Sequence, residues 1–179
     1  VKPSARAARD FETRVKDTHH QALKLWLRLL SCTTRVETVI RNRLRTEFAM
    51  TLPRFDLLAQ LERENDGLTM GELSERLMVT GANVTGLTDQ LEAEGLVRRA
   101  AHPSDRRAFT VHLTSRGRRQ FRRMAVTHEK WVVELFDGWD ARQQSQMYAL
   151  LGSLKPHLSN VQGRDAKRRK ADTTKENAA

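Results

Sequence analysis

The chain has 179 residues, 39% hydrophobic and 30% charged, with 32 lysines and arginines against 22 aspartates and glutamates and a formal net charge of +10. That length suits one compact domain, or a small domain with long appended helices, and falls short of two independent domains of usual size. A single cysteine, Cys32, excludes an intrachain disulfide, and no window reads as a secretory leader or as the roughly 20 apolar residues that span a bilayer, so a cytoplasmic protein with no membrane partner is expected.

Residues 1–16 place Lys2, Arg6 and Arg9 among small residues without a sustained period and read as a flexible basic arm. Over 17–50, Leu23, Trp26, Leu27, Leu30, Ile40, Leu44 and Phe48 fall at helical spacing, with polar residues interrupting at Thr33 and Thr34; one long helix or two joined helices follow. Pro53 opens a helix carrying Phe55, Leu58 and Leu61 that stops near Asn65, Asp66 and Gly67. Thr69 and Glu72 form a capping box for a short helix buried through Leu73 and Leu77 and ending by Val79. Thr80 caps the next helix, whose apolar set Val84, Leu87 and Leu91 leaves Asn83, Thr85, Gly86, Thr88 and Asp89 outside before Gly95 closes it.

Leu96 to Ala100 and Phe109 to Leu113 read as strands, the second alternating Phe109, Val111 and Leu113 with Thr110 and His112, around a turn from His102 to Arg107. Thr114 or Ser115 caps a long helix with Phe121, Met124, His128, Trp131, Leu135 and Phe136 near one face, terminated around Gly138. Asp140 and Gln143 cap a last helix bearing Met147, Leu150, Leu151 and Leu154, which Pro156 should kink or end. The run of Arg164 and Lys167 to Lys170 has no apolar face, so 161–179 reads as a disordered basic tail. The fold class expected is mainly α with a small β-wing (α+β): a winged helix-turn-helix with long terminal helices. Those helices present apolar faces that a second copy of the chain would cover.

Nine arginines and one acidic residue, Asp105, lie between residues 98 and 123, so this segment alone carries +8 of the net +10. Charge so concentrated on a hairpin and the following helix start suits a phosphate backbone, and a helix-turn-helix before it points to double-stranded DNA. The second helix of such a motif enters the major groove by its N-terminal residues, which makes Thr80, Asn83, Thr85 and Thr88 the candidate base readers. Asn83 is the strongest, since a carboxamide pairs bidentately with adenine. Read singly, the same residues are ordinary helix-start residues. At the wing tip Arg107 suits a narrow A·T-rich minor groove with Asp105 as organiser, and Arg98, Arg99, Arg106, Arg116, Arg118 and Arg119 suit phosphates.

The segment from Leu68 to Thr114 resembles the MarR family of winged-helix transcriptional regulators. The resemblance rests on Leu73 to Leu77, on ANVTGLTDQLEAEGLVRR at 82–99 and on SDRRAFTVHLTSRG at 104–117, where Asp105 and Arg107 match the wing motif and Leu113, Thr114 and Gly117 the junction that follows. It implies a MarR-type domain over 17–160, with dimerisation helices at 17–50 and 115–160 and the winged helix-turn-helix at 53–114. It further implies a homodimer addressing a pseudo-palindrome, with Asn83, Thr85 and Arg107 facing DNA. Gly86 stands where many relatives carry a DNA-contacting arginine, which leaves the operator sequence open. Pro156 and the basic tail depart from the usual chain end.

The resemblance also implies release from DNA by a small aromatic or phenolic effector, with an aryl-CoA thioester as a bulkier candidate. Walls for it would come from Trp26, Leu30, Phe48, Met50 and Phe55, and a carboxylate partner from Arg35, Arg41 or Arg45. Each also has a plain structural reading as core or solvated face. Cys32 reads as a packing thiol, and the histidines lack the spacing of a metal site. No cofactor is expected, and no phosphate loop, nucleophile elbow or paired acid and base suggests an enzyme. The alternative function is a constitutive or architectural DNA-binding protein without an effector.

Overall fold

The structure, a computed structural model, describes residues 21–101 and 109–176. They belong to two compact units, one ending at Trp131 and the other beginning at Val132.

In the first unit α1 (Gln21–Phe48) is a single helix. Its polar middle does not break it, and Thr38 Oγ1 satisfies itself there by donating to the Thr34 carbonyl at 2.7 Å. The helix ends in a left-handed residue, Ala49 (φ 49°), with Met50 N–H donating to the Leu44 carbonyl at 3.2 Å. Then α2 (Leu52–Glu62) begins with Pro53 in its first turn and buries Phe55, Leu57, Leu58 and Leu61. Strand β1 is the dipeptide Leu68–Thr69, and α3 (Met70–Leu77) follows directly. The capping box forms as its spacing predicts: Thr69 N–H donates to Glu72 Oε2 at 2.8 Å and Glu72 N–H to Thr69 Oγ1 at 3.2 Å. The turn into α4 (Gly81–Ala93) passes through left-handed Met78 (φ 54°), and Thr80 Oγ1 accepts the Asn83 N–H at 3.4 Å.

Strands β2 (Val97–Ala101) and β3 (Phe109–Leu113) pair antiparallel, with Arg99 opposite Val111. The sheet has three strands in the order β1-β3-β2, since Leu68 and Thr69 pair with Val111 and Thr110. As the middle strand β3 departs from simple alternation: Thr110 is buried between its two neighbours, whereas Phe109 is 53% exposed. Leu96, expected at the start of the first strand, lies just before it and links helix to helix. Its N–H donates to the Leu91 carbonyl at 2.9 Å and its carbonyl accepts from Thr114 N–H at 3.0 Å. Thr114 Oγ1 accepts the Gly117 N–H at 2.9 Å, which starts α5 (Ser115–Leu135).

Leu44, Leu57, Leu58, Leu61, Leu68, Leu73, Val84, Leu91, Leu96, Val97, Val111 and Met124 form the core of this unit, all essentially without solvent exposure. Burial of that many aliphatic side chains, at about 1.5–3 kcal/mol each, is what holds α4 against the sheet and α2.

The second unit holds the end of α5 and all of α6 (Ala141–Glu176). Asp140 and Gln143 form the expected reciprocal cap, at 2.9 and 2.8 Å. Pro156, expected to kink or end the helix, lies inside α6 without ending it, and the backbone from 161 to Glu176, expected to be disordered, is helical. The lysines, arginines, alanines and glutamate there are good helix formers, so absence of an apolar face does not forbid helical backbone.

Candidate nucleic-acid interface

The geometry of α4 decides which side chains can meet a ligand. Val84, Thr88 and Leu91 are fully buried and recur at helical spacing, so they define its inner stripe. Thr80, Asn83, Thr85 and Gly86 lie on the exposed side. Thr88, expected among the outward base readers, belongs to the inner stripe instead. Its hydroxyl donates to the Val84 carbonyl at 2.8 Å and lies 3.9 Å from Met70 Sδ, which removes the cost of burying it.

The three outward side chains differ in what they have left to offer. Thr80 Oγ1 is engaged as the N-cap acceptor. The Thr85 hydroxyl donates back to the Gly81 carbonyl at 3.0 Å, leaving its lone pairs and methyl for an outside partner. The Asn83 carboxamide is exposed and has no hydrogen bond among the described residues, so both its donor and acceptor are free. It lies at the N-terminal end of α4, where unsatisfied N–H groups and the helix dipole favour an anion.

The arginines separate into two groups. Arg98, Arg116 and Arg119 are not buried and form no ion pair among the described residues. Arg99 and Arg118 are engaged internally. Arg99 reaches Asp89 Oδ1 and Glu92 Oε2, both at 2.5 Å, while Arg118 reaches Glu62 Oε2 at 2.8 Å and Arg122 reaches Glu62 Oε1 at 3.0 Å. The Arg99 guanidinium is held charged beyond its usual range, the hydrogen bond to Asp89 being the largest cause. Both Arg99 and Arg118 were expected as phosphate clamps; in this structure their charge is spent on α4 and α2. Asp105, Arg106 and Arg107 lie outside the described residues.

Spacing along the chain could not reveal the partners. Glu62 is 56 and 60 positions from the two arginines it holds, and Arg54, buried at 9% exposure, pairs with Glu94 forty positions on. Only Asp89 and Glu92, three apart on a helix, carried a local sign that they share a face.

The expected effector walls are scattered. Met50 and Phe55 are buried core rather than lining of an open site, while Trp26 (57% exposed) and Leu30 stand out from α1. Arg35, Arg41 and Arg45 are on the same helix, and Arg41 lies 3.5 Å from Glu37. What the fold does assemble is an aromatic cluster. Phe55 stacks with Phe121 and His128 at centroid distances of 5.4 and 4.9 Å, and Phe48 lies 6.0 Å from Trp131. Arg123 lies over Phe48 and Arg43 over Trp131, at 5.4 and 5.8 Å, both within cation–π range. Burial pushes the His128 imidazole below its ordinary range. In the second unit Val132, Phe136, Trp139, Met147, Tyr148 and Leu151 line an open apolar groove of 540 Å³. No helix among the described residues is long and apolar enough to cross a membrane.

Comparison with known proteins gives this geometry a context. The MarR family model matches residues 50–108, from just after α1 to just before β3. The chain is 27% identical over 103 residues to the HTH-type transcriptional repressor YetL of Bacillus subtilis, an overlap covering 58% of this chain and 62% of that protein. It spans about three fifths of the length of the curated relatives it matches. Among solved structures, a MarR family regulator from Silicibacter pomeroyi superposes with a TM-score of 0.69 at 29% identity, covering 80% of this chain and 99% of the other. The MarR family regulator Sco3205 from Streptomyces coelicolor, solved in complex with DNA, also gives 0.69 at 26% identity, covering 79% and 89%. The family model covers α2 to β2, including the helix-turn-helix whose exposed and buried faces are described above, and over that region the chain is similar to the MarR family of winged helix-turn-helix transcriptional regulators, whose fold it shares.

Proposed function

We propose that the protein is a sequence-specific DNA-binding transcriptional regulator that works in the cytoplasm as a homodimer, repressing from a pseudo-palindromic operator. The observation that carries this reading is the outward face of α4, where an unpartnered Asn83 carboxamide and the Thr85 methyl stand on the same winged unit as Arg98, Arg116 and Arg119. The first pair reads base edges and the arginines hold phosphates, with Arg107 and Asp105 at the wing tip. The exposed apolar residues of α1 and of the second unit supply the dimer surface. Release is by a small aromatic or phenolic compound, or an aryl-CoA thioester, that binds the DNA-incompetent arrangement of the two winged helices more tightly than the competent one.

A second reading, a constitutive DNA-binding protein without effector, is favoured by one observation: Met50 and Phe55, needed as effector walls, are packed into the core. Fluorescence anisotropy separates the two. Binding of the upstream DNA about 1000-fold tighter than a shuffled duplex at about 150 mM salt, abolished by one compound from a panel of aromatic acids and CoA thioesters, is the expected result. Specific binding indifferent to every compound favours the constitutive reading, and equal affinity for both duplexes favours the architectural one or an operator elsewhere in the genome.

A further inference from the structure

We propose that Arg99 is a positioning residue for α4, fixing the base-reading helix to wing strand β2 by forking across Asp89 and Glu92, while the adjacent Arg98 faces phosphate. The proposal rests on the DNA-binding reading above and says how that surface is held in register.

Successive strand residues face opposite sides, and the two neighbours differ accordingly. Arg98 is exposed, whereas the Arg99 side chain keeps only 27% of its accessible surface. Arg99 is attached to α4 three times. Nη2 donates to Asp89 Oδ1, Nη1 donates to Glu92 Oε2, and its backbone N–H donates to Glu92 Oε1 at 3.0 Å. One carboxylate thus holds both the main chain and the side chain of the same strand residue. A planar guanidinium can bridge two carboxylates on one helix face, but the point charge of a lysine cannot reproduce that fork.

Two further consequences bear on function. Asp89 and Glu92 lie on the helix that would enter the groove, and unneutralised they would repel the backbone. Arg99 screens them, which a phosphate contact by the same guanidinium would undo. Asp89 also lies six residues beyond Asn83, about 9 Å along the axis. A tilt of about 10° around that anchor moves the start of α4 by about 1.5 Å, enough to break a bidentate hydrogen bond to a base. Loss of the fork is therefore read as loss of discrimination, not of general affinity.

The test starts with duplexes that the wild-type protein enriches from a random library. If nothing is enriched, the sequence-specific reading itself fails, independently of Arg99. With an enriched duplex in hand, the Asp89→Asn/Glu92→Gln and Arg99→Lys variants are compared with wild type on that duplex and on a shuffled one, as a function of salt. Each variant is first checked for a cooperative melt, and either folded variant decides. The double variant loses two negative charges, so general electrostatics alone would tighten binding to both duplexes. The fork instead requires the ratio of specific to shuffled affinity to fall about 10-fold or more in both variants, the worth of roughly one base contact, with the salt slope of nonspecific binding kept within about 0.5. Parallel tightening on both duplexes in the double variant, or a wild-type ratio in Arg99→Lys, would overturn the proposal and return Arg99 to the phosphates.

Discussion

Replacing Gly117 with alanine should destabilise the winged unit, although alanine is the better helix former. A Cβ built at this position would lie 1.9 Å from the Leu96 carbonyl oxygen and 2.8 Å from its carbon. An ordinary carbon–oxygen contact is about 3.4 Å, so the start of α5 must retreat by about 1.5 Å. That carbonyl accepts from Thr114 N–H at 3.0 Å and, at 3.2 Å, shares the Thr114 hydroxyl proton with the nearer Gly95 carbonyl (2.8 Å), and the retreat disturbs both contacts. The lost backbone hydrogen bond, the weakened hydroxyl contact and the forced shift cost about 3–5 kcal/mol, offset by about 1 kcal/mol of helix propensity, leaving about 2–4 kcal/mol. Gly86 is the internal control, since it too is helical and a methyl added there would have nothing within 4 Å. Gly86→Ala should stabilise by about 0.5–1 kcal/mol. Urea titration followed by circular dichroism reads both: at a slope near about 2 kcal/mol/M, Gly117→Ala shifts the midpoint down by about 1–2 M and Gly86→Ala shifts it slightly up. If the two variants shift in the same direction, the close approach of α5 to Leu96 is wrong.

Asp56 has its carboxyl pushed up to about 6, first by burial and then by Glu37. Its folded value lies above the unfolded one, so its contribution is fully present below about pH 4 and lost as pH rises through about 6; Asp56→Asn should stabilise by about 1–2 kcal/mol at pH 7, discounted for partial exposure, and by nothing at pH 4. Thermal melts at the two pH values check the crossover. His128 behaves oppositely: burial lowers its folded value, so its contribution is present above about pH 6.5 and lost as pH falls from there through the folded value. His128→Phe, which keeps a ring against Phe55, should flatten that acid-side loss in the same melts. Arg98→Ala should weaken binding equally on specific and shuffled duplexes and flatten the salt slope by about 2 for a dimer, whereas an unchanged slope would remove it from the phosphate contacts. Met78, 87% exposed and left-handed, packs little, so Met78→Gly should relieve strain and raise the urea midpoint, by up to about 1 kcal/mol of stability.

Local chemistry made much of this fold readable. Two capping boxes, the Thr80 cap, Pro53 and Gly95 each act within four residues, and each appears where its spacing required. Features fixed by distant parts of the chain were not readable in that way. Strand β1 is two residues long and exists because β3 pairs with it, which no periodicity test can detect. Thr88 looked outward because it is polar, yet a threonine can satisfy itself on its own helix and be buried. Arg99 and Arg118 looked like free cations because their carboxylate partners lie on other elements. Left-handed Ala49 and Met78 end their helices without the glycine that usually marks such a stop. The basic surface was therefore legible as a total, and its division into internal struts and exposed cations was not.

The empty space beside Gly86 has an evolutionary consequence. The position lies on the outward side of α4, one residue after Thr85, and a Cβ there would meet no other part of the protein. The buried stripe of Val84, Thr88 and Leu91 can stay untouched while a helix-compatible side chain is installed at 86. A single codon change could give this helix a new base-contacting side chain without repacking the core. With α4 reading DNA as proposed, natural divergence or a small designed library at 83, 85 and 86 would move the protein between DNA targets at almost no cost to its fold.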